Sequence, residues 1–127
     1  MKKAVWMFAF ILAYSISSTA VAQSEKVEFS GGCTYPDRPV IADGATATEA
    51  QMIDSQKALK EYLALGNEFL ACIDKEEAAL STKTDITPEQ AAEHKARLTQ
   101  TYNAVVDDMN AVAESFNTSL RAFKSKS

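Results

Sequence analysis

Chemistry in this chain would have to start from very few side chains. The sequence holds two cysteines, Cys33 and Cys72, and one histidine, His94. His94 stands beside Glu93, with no second histidine, no free cysteine and no glutamate at ligand spacing on the same helical face. A zinc site needs three or four such donors, so His94 is expected to be a surface or edge residue. Acids cluster as Asp74, Glu76 and Glu77, and as the pair Asp107 and Asp108. Paired carboxylates can work as acid and base or hold a hard cation. Here they fall outside the apolar stripes, with Asp108 bordering Met109, which predicts a solvated face, since unpaired charges avoid cores. Serines and threonines are numerous, but none sits in a nucleophile turn, and a catalytic histidine would need both a nucleophile and an orienting partner. The pattern therefore supplies no catalytic, cofactor-binding or metal-binding set, and the expectation is a protein that is not an enzyme and carries no cofactor.

Two further patterns remain. Asn103, Asn110 and Asn117 repeat every seven residues, one step past Tyr102, Met109 and Phe116. Such a ladder can line an interface and set register between helices, and its plain alternative is the polar flank of a seam. Phe69, Met109, Phe116 and Phe123 could line an apolar ligand pocket; they lie on the stripes that a helical core must bury, which favours packing.

The amino-terminal residues give the compartment. Lys2 and Lys3 precede an apolar run from Ala4 to Ile16, and Ala20-Val21-Ala22 offers a small-x-small cleavage site. This is the three-part form of a secretory signal peptide, residues 1–22, cleaved after Ala22. The apolar run is shorter than the roughly 20 residues that span a bilayer. The short, lysine-led signal has a bacterial look, so the destination is the periplasm, with no membrane anchor after cleavage. The removed segment carries two lysines and no acid, which takes the net charge from −4 to −6. An acidic chain of this size is repelled by nucleic acid and by anionic lipid.

In an oxidising compartment a lone pair of cysteines reads as a structural disulfide, Cys33 to Cys72. Closing a loop of about 40 residues stabilises a fold by roughly 4 kcal/mol in the chain-entropy treatment.

The elements that would position these residues are helical. Residues 23–47 form a polar, proline-containing arm, in which Pro36 and Pro39 forbid helix and Asp43-Gly44 marks a turn. A first helix is expected over about 48–80, started by a capping box at Thr46/Glu49 or Thr48/Gln51. Met52, Leu59, Tyr62, Leu63, Phe69, Leu70 and Ile73 recur at helical spacing, and a second lane, Ala58, Leu65 and Cys72, runs beside them. Gly66 falls within this apolar arc, where close approach of another backbone would explain it. Acids at Glu76 and Glu77 oppose the helix dipole, so either the helix ends near Lys75 or those acids meet a partner. Thr87-Pro88-Glu89-Gln90 combines a cap, a proline at the first helical position and a capping-box glutamine. It opens a second helix over about 88–123, whose stripe Leu98, Tyr102, Val105, Met109, Val112, Phe116, Leu120, Phe123 is close to a heptad seam. A polar tail, 124–127, is expected to fray.

A loop of about seven residues makes two such helices antiparallel neighbours. The predicted fold is therefore all-α: a long, coiled-coil-like antiparallel two-helix hairpin, 48–123, with an extended strap tied to the first helix by the disulfide. Fifteen residues separate Cys33 from Thr48, enough to span up to about 50 Å when extended. The strap is thus expected to run back along the first helix across Leu65 and Ala58, burying Tyr35, Val40 and Ile41.

The run Cys33-x-x-Pro36-x-x-Pro39-x-Ile41-x-Asp43-Gly44, followed by Ala47-Thr48 and Gln51-Met52, resembles a pattern in uncharacterised small exported proteins of Gram-negative bacteria. Their second cysteine falls late in the first long helix, as in Leu70-Ala71-Cys72-Ile73. The likeness covers about 40 residues, departs at Ala42, where proline is expected, and implies architecture and compartment but no activity. The functional expectation is a non-catalytic periplasmic interaction or assembly protein that acts through its hairpin surface, with a protein partner or by self-association. The alternative is a protein that binds a small hydrophobic ligand.

Overall fold

The computed structural model describes residues 32–126. The expected signal peptide, its cleavage site and residues 23–31 of the arm lie outside the described residues. Two helices follow an extended segment: α1, Glu49–Leu80, and α2, Pro88–Ser125. At 1.5 Å per residue they are about 48 and 57 Å long.

Each helix starts where side chains replace missing backbone partners. Of the two candidate boxes for α1, Thr48 with Gln51 forms: the Gln51 N–H donates to Thr48 Oγ1 at 3.3 Å and the Thr48 N–H to Gln51 Oε1 at 2.9 Å. The same reciprocal pair opens α2, Gln90 N–H to Thr87 Oγ1 at 3.2 Å and Thr87 N–H to Gln90 Oε1 at 2.9 Å, with Pro88 at the first position. Each box satisfies donors that a helix otherwise leaves to water. α1 does not stop at Lys75. Glu77 instead meets Lys95 of α2 at 3.0 Å, which offsets its unfavourable place near a helix carboxyl end.

The helices pack antiparallel, and their seam holds two clusters. The cluster nearer the connecting loop contains Phe69, Leu70, Ile73, Leu80, Leu98 and Val105, with Cys33 against them. The other contains Ala47, Met52, Leu59, Tyr62, Val112 and Phe116. Met109 packs against both. Its side chain occupies the space that a Cβ on Gly66 would need, within 2.6 Å of the sulfur. The glycine therefore admits a thioether rather than another backbone. Ile73, Leu98, Val105 and Val112 are the large side chains fully removed from water. Each such burial is worth about 1.5–3 kcal/mol, and all four belong to the contact between the helices.

The Cys33–Cys72 disulfide links the strap to the distal half of α1, with the two Cα atoms 5.7 Å apart. The strap runs back towards the start of α1, as its length allows, but its lateral position differs from expectation. Leu65 is 43% exposed and Val40 91% exposed, so the strap does not cover the Ala58/Leu65 lane. Tyr35 is also partly exposed, Ile41 is half-buried, and the buried strap residues are Cys33 and Pro36. The strap sits over the groove between the helices because α2 supplies attachment points that hydrophobic spacing does not reveal.

At the other end, α2 continues two residues past its expected limit, since no helix breaker intervenes. The tail is anchored: Lys126 Nζ donates to the Ala47 carbonyl at 2.7 Å and stands 4.8 Å from the Phe123 ring centre. A cation–π contact and a hydrogen bond thus tie the end of α2 to the residue before the first cap.

Candidate functional site

The densest polar constellation is built around Asp108, which α2 presents to the strap. Tyr62 of α1 donates its hydroxyl to Asp108 Oδ2 at 2.6 Å, and Tyr35 of the strap donates to the same oxygen at 2.9 Å. Arg38 of the strap bridges to Asp108 Oδ1 at 3.0 Å. One carboxylate therefore joins all three segments. Beside it, the Tyr35 ring meets Phe69 edge-on, with centres 5.4 Å apart. Further along, the Ala42 N–H donates to Ser55 Oγ at 3.0 Å, which accounts for the buried Ser55 in an apolar face.

Burial alone would push the Asp108 carboxyl up. The tyrosine hydrogen bonds and the Arg38 charge outweigh it and hold the group below its ordinary value. Both tyrosines move the other way. Burial first, and then donation to Asp108, keep Tyr62 and Tyr35 protonated well into alkali. Chemically this is a clasp. A carboxylate of lowered basicity, with both oxygens already occupied, is a poor general base, and tyrosines held protonated are poor nucleophiles.

Asp108 overturns the expectation of a solvated acid pair: it is half-buried and paired, while Asp107 stays exposed. A signal was available in its place on the edge of the α2 stripe, next to Met109. What the spacing could not show was that Tyr62 faces it, or that the strap brings Tyr35 and Arg38 within reach.

The predicted interface residues Asn103, Asn110 and Asn117 are all exposed. At about 100° per residue they lie roughly 140–160° round α2 from Leu98, Val105 and Val112, about two-fifths of a turn, on the side away from Asp108. They are part of a longer pattern. Ala92, Ala96, Thr99, Asn103, Val106, Asn110, Ala113, Asn117 and Leu120 step by four and three alternately, a second heptad lane beside the core seam, with no charged residue in it. Val106, Ala113 and Leu120 of this lane are half-buried, packed on one side against the core and open on the other.

Elsewhere, an open cleft of about 580 Å³ lies between the end of α1 and the start of α2, lined in part by Asp74, Glu77, Ala92 and Lys95. Phe69, Met109, Phe116 and Phe123, the candidate ligand-pocket residues, pack in or against the two core clusters instead. His94 is half-buried on α2, and among the described residues no group of three or more histidine, cysteine or acidic side chains is placed to hold a metal ion. No described helix is long and apolar enough to cross a membrane. In comparisons with known proteins, the chain matches no family model, no curated protein and no solved structure.

Proposed function

We propose that this chain is a non-catalytic interaction protein of the periplasm, exported by a signal peptide cleaved after Ala22, and that it works by self-association through α2. The observation that carries this reading is the second heptad lane from Ala92 to Leu120. Interface cores are depleted of charge, and this lane is free of it over four heptads in a chain that is acidic overall. Its small residues allow helices to approach closely. Asparagine carries both a donor and an acceptor, so it pairs with itself. Parallel pairing of two α2 helices about a two-fold axis would set Asn103, Asn110 and Asn117 against their own copies, in the way a buried asparagine fixes register at a cost in stability. The Asp108 clasp supports the non-catalytic part of the reading, because its most perturbed titratable groups are occupied in holding segments together.

The test is sedimentation equilibrium of the mature, oxidised protein over a wide concentration range, beside an Asn110→Lys variant. The expected result is a monomer–dimer equilibrium in the parent and a monomer in the variant, whose charge would be buried in the pair. A photo-crosslinker at position 110 should link two copies of the chain. A parent that stays monomeric at the highest soluble concentration, with no self-crosslink, overturns the proposal.

A further inference from the structure

We infer that the Cys33–Cys72 disulfide is a redox latch: a dithiol reductant frees the outer strap, residues 33–40, and uncovers the aromatic groove beneath it while the two helices stay folded. The strap is held unevenly along its length. Among the described residues, no backbone–backbone hydrogen bond joins Cys33–Ala42 to either helix. Its middle is held by Tyr35 and Arg38 on Asp108; the tyrosine residue is 41% exposed and the arginine side chain 56%, so water competes for both contacts. Its distal end is held by the disulfide and by the packing of two buried residues, Cys33 and Pro36. The end nearest α1 is firmly seated: the Ala42 N–H donates to the buried Ser55 Oγ at 3.0 Å, Ile41 and Ala42 pack against the adjoining core cluster, Gly44 is buried against the α2 backbone at Ser119 and Phe123, and Lys126 holds the Ala47 carbonyl. Cutting the disulfide leaves a lever pivoting at Ile41–Ala42, just ahead of the closed turn in which the Asp43 carbonyl accepts from the Thr46 and Ala47 N–H groups.

The hairpin does not depend on that lever. Ile73, Leu98, Val105 and Val112 are buried between the helices, both capping boxes are internal to their helices, and the Glu77–Lys95 bridge lies at the loop end. What the strap covers is different in kind: Tyr62 and Phe69, each 2% exposed, around the Asp108 carboxylate. Release therefore turns a closed face into an aromatic groove with a carboxylate in its wall.

The redox step balances as ordinary thiol–disulfide exchange. A reductant thiolate attacks one sulfur and forms a mixed disulfide, releasing the other cysteine as a thiolate. The reductant's second thiol then displaces the remaining cysteine. Two electrons pass to the pair, two protons end on the Cys33 and Cys72 thiols, and the reductant leaves as its own disulfide.

The experiment compares the mature protein with and without dithiothreitol, together with a Cys33→Ser/Cys72→Ser double variant, by heteronuclear NOE and far-UV circular dichroism. Oxidised protein should give strap values at Thr34, Tyr35, Arg38 and Val40 close to those of the helices. On reduction, and in the variant, these should fall below about half the helical level, the mark of a flexible backbone, while about nine-tenths of the helical ellipticity is kept. Unchanged strap values on reduction would overturn the latch, and so would loss of helical signal together with the strap, because the disulfide would then be a staple for the whole fold. The result does not depend on self-association, whose lane lies on the other flank of α2.

Discussion

Replacing Asp108 with alanine tests whether one carboxylate joins the three segments. The substitution removes acceptors from Tyr62 at 2.6 Å and Tyr35 at 2.9 Å and the bridge to Arg38 at 3.0 Å. A hydrogen bond to a charged group contributes about 1.5–3 kcal/mol, with the upper end reached when the orphaned partner is buried. Tyr62 is such a partner; Tyr35 and Arg38 can turn to water, and an exposed ion pair contributes about 1 kcal/mol or less. The sum is a loss of about 3 kcal/mol. At 4–8 °C per kcal/mol for a domain of this size, the melting temperature should fall by roughly 12–24 °C. Thermal unfolding followed by circular dichroism at neutral pH reads this directly. Tyr62→Phe should cost less, about 1.5 kcal/mol, the lower end of that range, because Asp108 keeps Tyr35 and Arg38. The double variant should cost little more than Asp108→Ala alone, since the two positions share one interaction. An Asp108→Ala protein that melts within about 2 °C of the parent would refute the reasoning.

Two glycines should respond differently to the same substitution. A Cβ at Gly44 would overlap the Ser119 carbonyl oxygen and come within 2.6 Å of its carbon and 2.9 Å of the Phe123 nitrogen, all fixed helix backbone. Gly44→Ala is therefore expected to destabilise by at least about 1–3 kcal/mol in chemical denaturation. At Gly66 the obstacle is the mobile end of Met109, and alanine gains about 1 kcal/mol of helix propensity, so Gly66→Ala should stay within about 1 kcal/mol of the parent. The clasp also fixes the direction of pH dependence. Asp108 is held below its ordinary value of 3.8, so the unfolded chain binds the proton more readily; the contribution is complete above about pH 4 and is lost as pH falls through the lowered value. Tyr35 and Tyr62 are raised above 10.0, so their contribution is complete below pH 10 and is lost as pH rises beyond it. Stability measured across pH should show both losses, with the acid limb flattened in Asp108→Asn and the alkaline limb flattened in Tyr62→Phe.

Most of the scaffold was legible without coordinates, for a local reason. Helix starts depend on residues three positions apart, and Thr87-Pro88-Glu89-Gln90 contains everything its capping box uses. The stripes of both helices likewise follow from a period of 3.6 residues, and the disulfide from having only two cysteines in the chain. On α1, Gly66 was legible but its neighbour was not: a flexible methionine from α2 fills the gap, and the Ala58/Leu65 lane stays uncovered by the strap.

The strap marks the boundary. Its length, its prolines and its covalent end are written in the sequence, and they establish that it returns along α1. Which side it takes depends on Asp108 and on the α2 backbone at Ser119, both remote in sequence from the residues they hold. Local spacing determines which residues share a face. A charge becomes part of a clasp, rather than an ordinary solvated acid, only when three segments converge within hydrogen-bonding distance, and that convergence belongs to the packed structure alone.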